Sequence, residues 1–258
     1  MQQKRWDPEH YFKHSATQLG HAKDLIEQYQ FKGNEQILDV GCGDGKITAA
    51  LSQYIPEGHI TGIDKSKEMI TFANEAFPSS SFTNVTFRQE DVLDLNEADK
   101  YDLIVSFSCL YYVKYQKMAL ENICRALKPN GKILLMLYRK CPDQWTAIDK
   151  VVSSKHWRDY FDYFDPGYYE HLPETYQDLL DRCVLGQFTA EFTPVEYIPF
   201  ESKEHLNKFM RGWLPHLQRL PEDKHDDFMA EIVDSYLQQL RVVDGQSIKI
   251  PFVRLLVY

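Results

Sequence analysis

The sequence predicts an α/β fold: a doubly wound, mostly parallel sheet with helices on both faces. Three observations carry this. Short runs such as LIVSF at residues 103–107 are nearly all apolar, as suits strands buried on both sides, and they are too short for helices. Several of these runs alternate with segments of helical spacing across residues 36–138, the pattern of successive strand and helix units. A glycine turn, GCGDG at residues 41–45, joins the first strand to the helix after it, where backbone must turn tightly.

The elements follow in order. AKDLIEQY at residues 22–29 suits an amphipathic helix, part of an N-terminal cap over about residues 8–30, and residues 31–35 turn around Gly33. Ile37, Leu38 and Val40 make the first strand, and residues 46–54 the helix after the glycines. HITGID gives a second strand ending at Asp64, with KSKEMITFANEAF as its helix. Residues 85–87 form a third strand, 101–107 a fourth, 118–127 a helix closed by PNG, and 132–138 a fifth strand. Beyond Arg139 the texture changes: residues 145–170 are crowded with aromatics and have no strand period, which reads as a lid in a helical insert over about residues 142–172 or as an oligomer face. Residues 175–185 return to helical spacing, and 188–200 alternate as a sixth strand broken late by Pro199. Helices at 203–214 and 223–240 form a C-terminal, substrate-side group over about residues 202–240. The last strand, 247–258, is interrupted at Pro251 and is expected at the edge of the same sheet, so the chain reads as a single domain.

Composition narrows the function classes. Of 258 residues, 43% are hydrophobic and 26% charged, enough apolar side chains for a large core. With 38 acidic against 29 basic residues the formal net charge is −9, a field that repels nucleic acid, and no basic run offsets it. Five cysteines without a CxxC pair favour a reducing compartment and read as buried thiols. No apolar run reaches membrane-spanning length, so a cytoplasmic protein is expected, monomeric or homodimeric. No spacing marks a metal site.

The glycines decide the cofactor. Gly41, Gly43 and Gly45 give GxGxG, whereas a dinucleotide site wants GxGxxG. Asp44 inside the turn would meet a pyrophosphate with like charge. Both points weigh against NAD and favour a cofactor without phosphates. Asp64 closes the second strand, where a carboxylate can accept both hydroxyls of a ribose, and Asp91, after the third strand, can meet an adenine amino group. Cys42 reads as a small space-filling residue in the turn rather than a nucleophile.

The ordered segments ILDVGCGDG, TGIDKSKEMITFA, FRQEDV, YDLIVSFSCLYYV and LKPNGKILLMLY resemble the successive motifs of class I S-adenosylmethionine-dependent methyltransferases. The resemblance covers residues 36–138 and implies a Rossmann-like, seven-stranded sheet with an antiparallel final strand and helical lid insertions. It further implies that Asp39 and the turn Gly41, Cys42, Gly43, Asp44, Gly45 cradle the methionine part. By the same resemblance Asp64, with Lys65 and Met69 behind it, holds the ribose, Asp91 and Val92 hold the adenine, and Ser106 and Phe107 line the transfer site. S-adenosyl-L-homocysteine would be the product.

WDPEHYFKHSATQ, SFSCLYYV and YLQQLRVVDGQSIKIPFVRLLVY are similar to segments of carboxyl methyltransferases acting on trans-aconitate and, in insects, on juvenile hormone acid or farnesoic acid. That likeness assigns Tyr11 and Gln18 to an N-terminal helix over the cofactor, and Tyr111 and Tyr112 to contact with the acceptor. Here the chain departs, with two tyrosines where Gln or His followed by Trp is the pattern. A carboxylate acceptor needs no base, whereas an alcohol, phenol or ammonium does, and no residue spacing marks one. Methyl ester formation on a small organic acid is therefore the leading expectation. The alternatives are N-, O- or C-methylation of another metabolite and a noncatalytic cofactor-binding protein. Arg139 and Arg211 are the cations expected to bind an acidic acceptor, while His14 and His21 read as surface residues.

Overall fold

A computed structural model of the chain describes residues 6–183, 187–242 and 247–258. The N-terminal cap is two helices, α1 (Pro8–His14) and α2 (Ala16–Ile26). Asp7 caps α1 by accepting from His10 N at 3.0 Å, and Pro8 stands at its first turn, where a missing N–H costs nothing. Helix α2 begins six residues earlier than the apolar pattern from Ala22, because Gln18 and His21 share its buried face.

The core follows as β1 (Gln36–Val40), α3 (Lys46–Ser52), β2 (His59–Asp64), α4 (Lys67–Ala76), β3 (Val85–Gln89) and β4 (Tyr101–Phe107). After a 3-10 turn (Leu110–Tyr112) come α5 (Gln116–Ala126) and β5 (Leu127–Tyr138). Ser66 caps α4 through Met69 N at 3.2 Å. The fifth strand is longer than its apolar run because Leu127, ahead of PNG, already pairs with Tyr101.

The C-terminal part holds α6 (Pro142–Val152), α7 (Pro173–Arg182), β6 (Ala190–Phe192), β7 (Glu196–Phe200), α8 (Lys203–Trp213), α9 (His225–Gln239), β8 (Ile248–Phe252) and β9 (Arg254–Val257). The expected end of the helix at 185 lies outside the described residues.

Seven strands form one sheet in the order β3-β2-β1-β4-β5-β9-β6. The pairs among β1 to β5 are parallel, and β9 runs antiparallel to both β5 and β6. Two expectations are corrected. The last strand is not the sheet's edge: β9 lies inside and β6 forms the edge. The sixth strand is also not one piece. Pro194 has no N–H to continue a ladder, so β6 and β7 separate, and the final segment breaks at Val253 opposite them. The outer halves, β7 and β8, pair as a second, two-stranded sheet, which carries Ile250, Pro251 and Phe252 toward the site described below.

Side chains alternate across the main sheet between two apolar clusters. Leu38, Val40, Ile104, Leu135 and Leu137 face one, while Ile37, Leu103, Val105, Phe107 and Met136 face the other. Each fully buried Leu or Ile contributes roughly 1.5–3 kcal/mol, so period-two alternation fixes the strand register. Much of the aromatic insert is core. Trp145, Trp157, Phe161 and Tyr168 are buried, and Trp157 packs edge-on against Phe228 of α9 at 5.1 Å between ring centres. Of the phenylalanines, tyrosines and tryptophans in residues 142–172, Tyr163 alone is fully exposed.

Candidate active site

Parallel pairing sets the carboxyl ends of β1, β2 and β4 side by side, and a cleft of about 900 Å³ opens outside them. The glycine turn forms its floor. Gly41, Gly43 and Gly45 have φ of 76°, 54° and 80°, a region costly to other residues. A methyl group added at Gly41 would meet Cys109 Sγ at 2.1 Å, whereas one at Gly43 would meet no protein atom within 4 Å. Gly43 borders the cleft, so its missing side chain leaves room for a ligand. Gly41 N and Cys42 N both donate to Ile63 O, at 2.8 and 3.0 Å, and tie the turn to β2.

Three carboxylates surround this turn. Asp64 accepts from Gly43 N at 3.1 Å and Ser66 N at 2.8 Å, Asp44 accepts from Lys46 N at 3.0 Å, and Asp39 accepts from the Thr48 hydroxyl at 2.6 Å. Burial holds all three above the usual carboxylate range, Asp39 at about 7, although these hydrogen bonds pull the other way. A cationic ligand would relieve the cluster, and a pyrophosphate would aggravate it.

Asp44, Asp64, Lys65, Met69, Asp91, Val92, Phe107, Gly41, Cys42 and Gly43 line the cleft together, as do Tyr11 and Gln18 from the N-terminal helices. Asp91 also accepts from Leu93 N at 3.0 Å. Asp39, Gly45 and Ser106 stand behind the lining. Ser106 is buried and donates to Val40 O at 2.8 Å. Ser108, two residues on, reaches the cleft instead, with φ of 61°. Burial pushes the Cys42 thiol well above its usual range and the Cys109 thiol to about 12, so neither is a ready nucleophile. The five cysteines are free, but the expectation of buried thiols holds only for Cys42 and Cys183; the other three are half-buried.

A second cavity of about 610 Å³ adjoins the first, and Trp6, Tyr11, Gln18, Ser108 and Tyr112 border both. Tyr111 and Tyr112 line it from the 3-10 turn. The Tyr111 ring stacks on Tyr168 at 4.6 Å, and the Tyr112 hydroxyl donates to Trp213 O at 3.1 Å. Burial keeps both phenols protonated. Gln18 is buried where the cavities meet, and its Oε1 has no hydrogen-bond partner. Arg139 borders the second cavity and pairs with Glu170 at 3.4 Å. Arg211 pairs with Asp226 at 2.5 Å and lies outside both linings.

Besides Ser108, sequence reasoning missed three contributors. Trp6 closes the wall against Tyr11 and Tyr112, with ring centres 5.9 and 5.6 Å apart. Tyr138, the last residue of β5, borders the second cavity, and His21, expected at the surface, is buried with Nδ1 2.6 Å from the Tyr138 hydroxyl. The signals were present. Gln18, His21 and Leu25 recur at helical spacing, and the strand-end rule that picks out Asp64 applies equally to Tyr138.

A seven-stranded sheet of this order, with an acidic glycine turn opening on a cleft at the strand ends, defines the class I S-adenosylmethionine-dependent methyltransferases. The methyltransferase-domain family matches residues 31–187, more than half of the chain, and the chain belongs to it. Over its length it is 25% identical to juvenile hormone acid O-methyltransferase of Bombyx mori, covering 94% of this chain and 92% of that one. It is 26% identical to trans-aconitate 2-methyltransferase of Escherichia coli O1:K1 / APEC, covering 98% and 96%. The YcgJ protein of Bacillus subtilis has the same fold, with a TM-score of 0.63 at 19% identity over 93% of this chain and 96% of that one. S-adenosylmethionine, cationic at sulfur and at its amino group, suits the carboxylates around the turn and the open space at Gly43.

Proposed function

We propose that the protein transfers the methyl group of S-adenosylmethionine to the carboxylate of an organic acid with an apolar body, giving a methyl ester and S-adenosylhomocysteine. The observation that carries this reading is the lining of the second cavity: Arg139 is its one charged residue among the described residues, and most of the others are aromatic. One cation and neutral donors suit a single carboxylate, while the rings suit a hydrocarbon chain. A polyacid would bury further charges without partners. The similarity to a juvenile hormone acid O-methyltransferase and a trans-aconitate 2-methyltransferase supports the acid reading.

When bound, the cofactor supplies a methyl group on a positive sulfur, so the acceptor needs alignment rather than activation. Asp64 and Asp91 would hold the nucleoside and the acidic turn the charged end. Gln18 and Ser108, at the meeting of the two cavities, would position the acceptor carboxylate. Trp6, Tyr11 and Tyr112 wall the junction against water, which strengthens polar contacts there.

The test is an acceptor panel of farnesoic acid, trans-aconitate and the alcohol farnesol. The proposal expects ester from farnesoic acid above all, and Arg139→Gln should raise KM for it about tenfold, the value of one charge-assisted contact, with kcat nearly unchanged. Turnover of farnesol alone would sink it.

A further inference from the structure

Behind the second cavity a chain of polar groups runs from the surface to the site. Glu196 Oε2 lies 3.1 Å from His21 Nε2, and His21 Nδ1 lies 2.6 Å from the Tyr138 hydroxyl. The Tyr138 hydroxyl in turn sits beside Ser108, which borders both cavities. These groups come from α2, β5, β7 and the loop after β4, so the folded chain alone brings them together.

The groups facing His21 are Glu196 from β7, Arg254 from β9, Asp24 on its own helix and Tyr138 from β5, and the ring of Phe252 from β8 packs against it at 6.0 Å. Arg254 also pairs with Glu196 at 3.3 Å and with Asp24 at 3.9 Å. Burial foremost, then Arg254, lowers the His21 pKa below the ordinary histidine value, against Glu196 and Asp24. His21 is therefore neutral near pH 7. With Glu196 beside Nε2, the imidazole proton belongs on Nε2, and Nδ1 accepts from Tyr138. In that state the Tyr138 oxygen offers only lone pairs to the cavity, a poor match for a carboxylate.

We propose that Tyr138 is a binding residue for the acceptor carboxylate and that His21, held by Glu196, is its positioning residue, taking up one proton as the acid binds. The proton comes from the buffer and ends on His21 Nδ1. That nitrogen then donates to the Tyr138 oxygen, and the phenolic hydrogen turns to the carboxylate. No covalent bond other than this N–H forms. The arriving negative charge is balanced by the imidazolium, itself balanced by Glu196. The inference rests on the acid reading above.

Calorimetry of farnesoic acid binding to the protein saturated with S-adenosylhomocysteine, at pH 8 in buffers of differing ionisation enthalpy, tests it. The expected result is uptake of about one proton per acid and a Kd that weakens about tenfold per pH unit above the His21 pKa. Tyr138→Phe, which keeps the ring, and Glu196→Gln, at a half-exposed position, should each cut the uptake to a small fraction. A binding heat that is the same in every buffer overturns the inference and leaves the acid reading standing. A kcat/KM that rises with pH over that range marks the chain as a base and also overturns it. Absence of binding by any acid, in protein that still binds S-adenosylhomocysteine, removes the acid reading and this inference together.

Discussion

At the residue scale the glycine turn separates structural from ligand-directed constraint. Gly41 and Gly43 share a left-handed backbone, but a methyl group at Gly41 strikes Cys109 and one at Gly43 strikes nothing in the protein. Gly41→Ala should therefore cost about 3 kcal/mol or more in urea unfolding, from overpacking added to backbone strain. Gly43→Ala should cost about 1 kcal/mol and yet weaken S-adenosylhomocysteine binding at least about tenfold, because its methyl group occupies the cleft. Asp39 is a second test. Its folded pKa of about 7 lies above the unfolded carboxylate value, mainly through burial, so the native state holds the proton more tightly. Its contribution to stability is then fully present below about pH 4 and is lost as pH rises toward about 7. Asp39→Asn keeps an acceptor for Thr48 and removes the charge. It should flatten the fall in unfolding free energy expected of the parent between about pH 4 and 7.

At the element scale the two cap helices differ in how firmly they are held. No residue of α1 is buried, whereas α2 buries Gln18, His21, Ala22, Leu25 and Ile26. Lys46 helps tie the α1 end to the core: its ammonium donates to Phe12 O and, at 3.1 Å, to Ser15 Oγ, and lies 4.1 Å from the Phe12 ring centre, beside the packing of Phe12 on Phe72 and the contact of His10 Nε2 with Lys208 O at 2.9 Å. Amides of α1 should exchange with deuterium well before those of β4, and S-adenosylhomocysteine should slow them, since Tyr11 borders the cleft. Lys46→Met should erase that protection while leaving β4 unchanged. The break between β6 and β7 works at the same scale: by dividing the C-terminal strands it sets Pro251 and Phe252 against the second cavity.

At the scale of the whole molecule, the parallel core was legible because its central strands β1 and β4 bury both faces and so are written as apolar runs. The cleft at the strand ends was legible because its glycine turn and strand-end carboxylates are local in sequence. The C-terminal strands were not, since alternation across 188–200 looks the same whether the segment pairs once or, as here, bends at Pro194 and pairs with two sheets. The second cavity was only half legible for a related reason. Tyr111 and Tyr112 sit next to a recognisable strand end, but His21 acquires a role only through contact with Tyr138, 117 residues away in sequence, and Glu196 only through His21. Arg211 belongs with these: a cation close to Trp213 in sequence turns to Asp226 in space.

The central claim is methyl transfer to an apolar acid, and its most direct test is mass spectrometry of farnesoic acid incubated with the protein and S-adenosylmethionine carrying a deuterated methyl group. The account predicts a labelled methyl ester and an equal amount of S-adenosylhomocysteine, both formed more slowly by Gly43→Ala when S-adenosylmethionine is subsaturating. Protein that binds S-adenosylhomocysteine but returns every acid of the panel unchanged, or places the label on nitrogen, carbon or an alcohol instead, would contradict it.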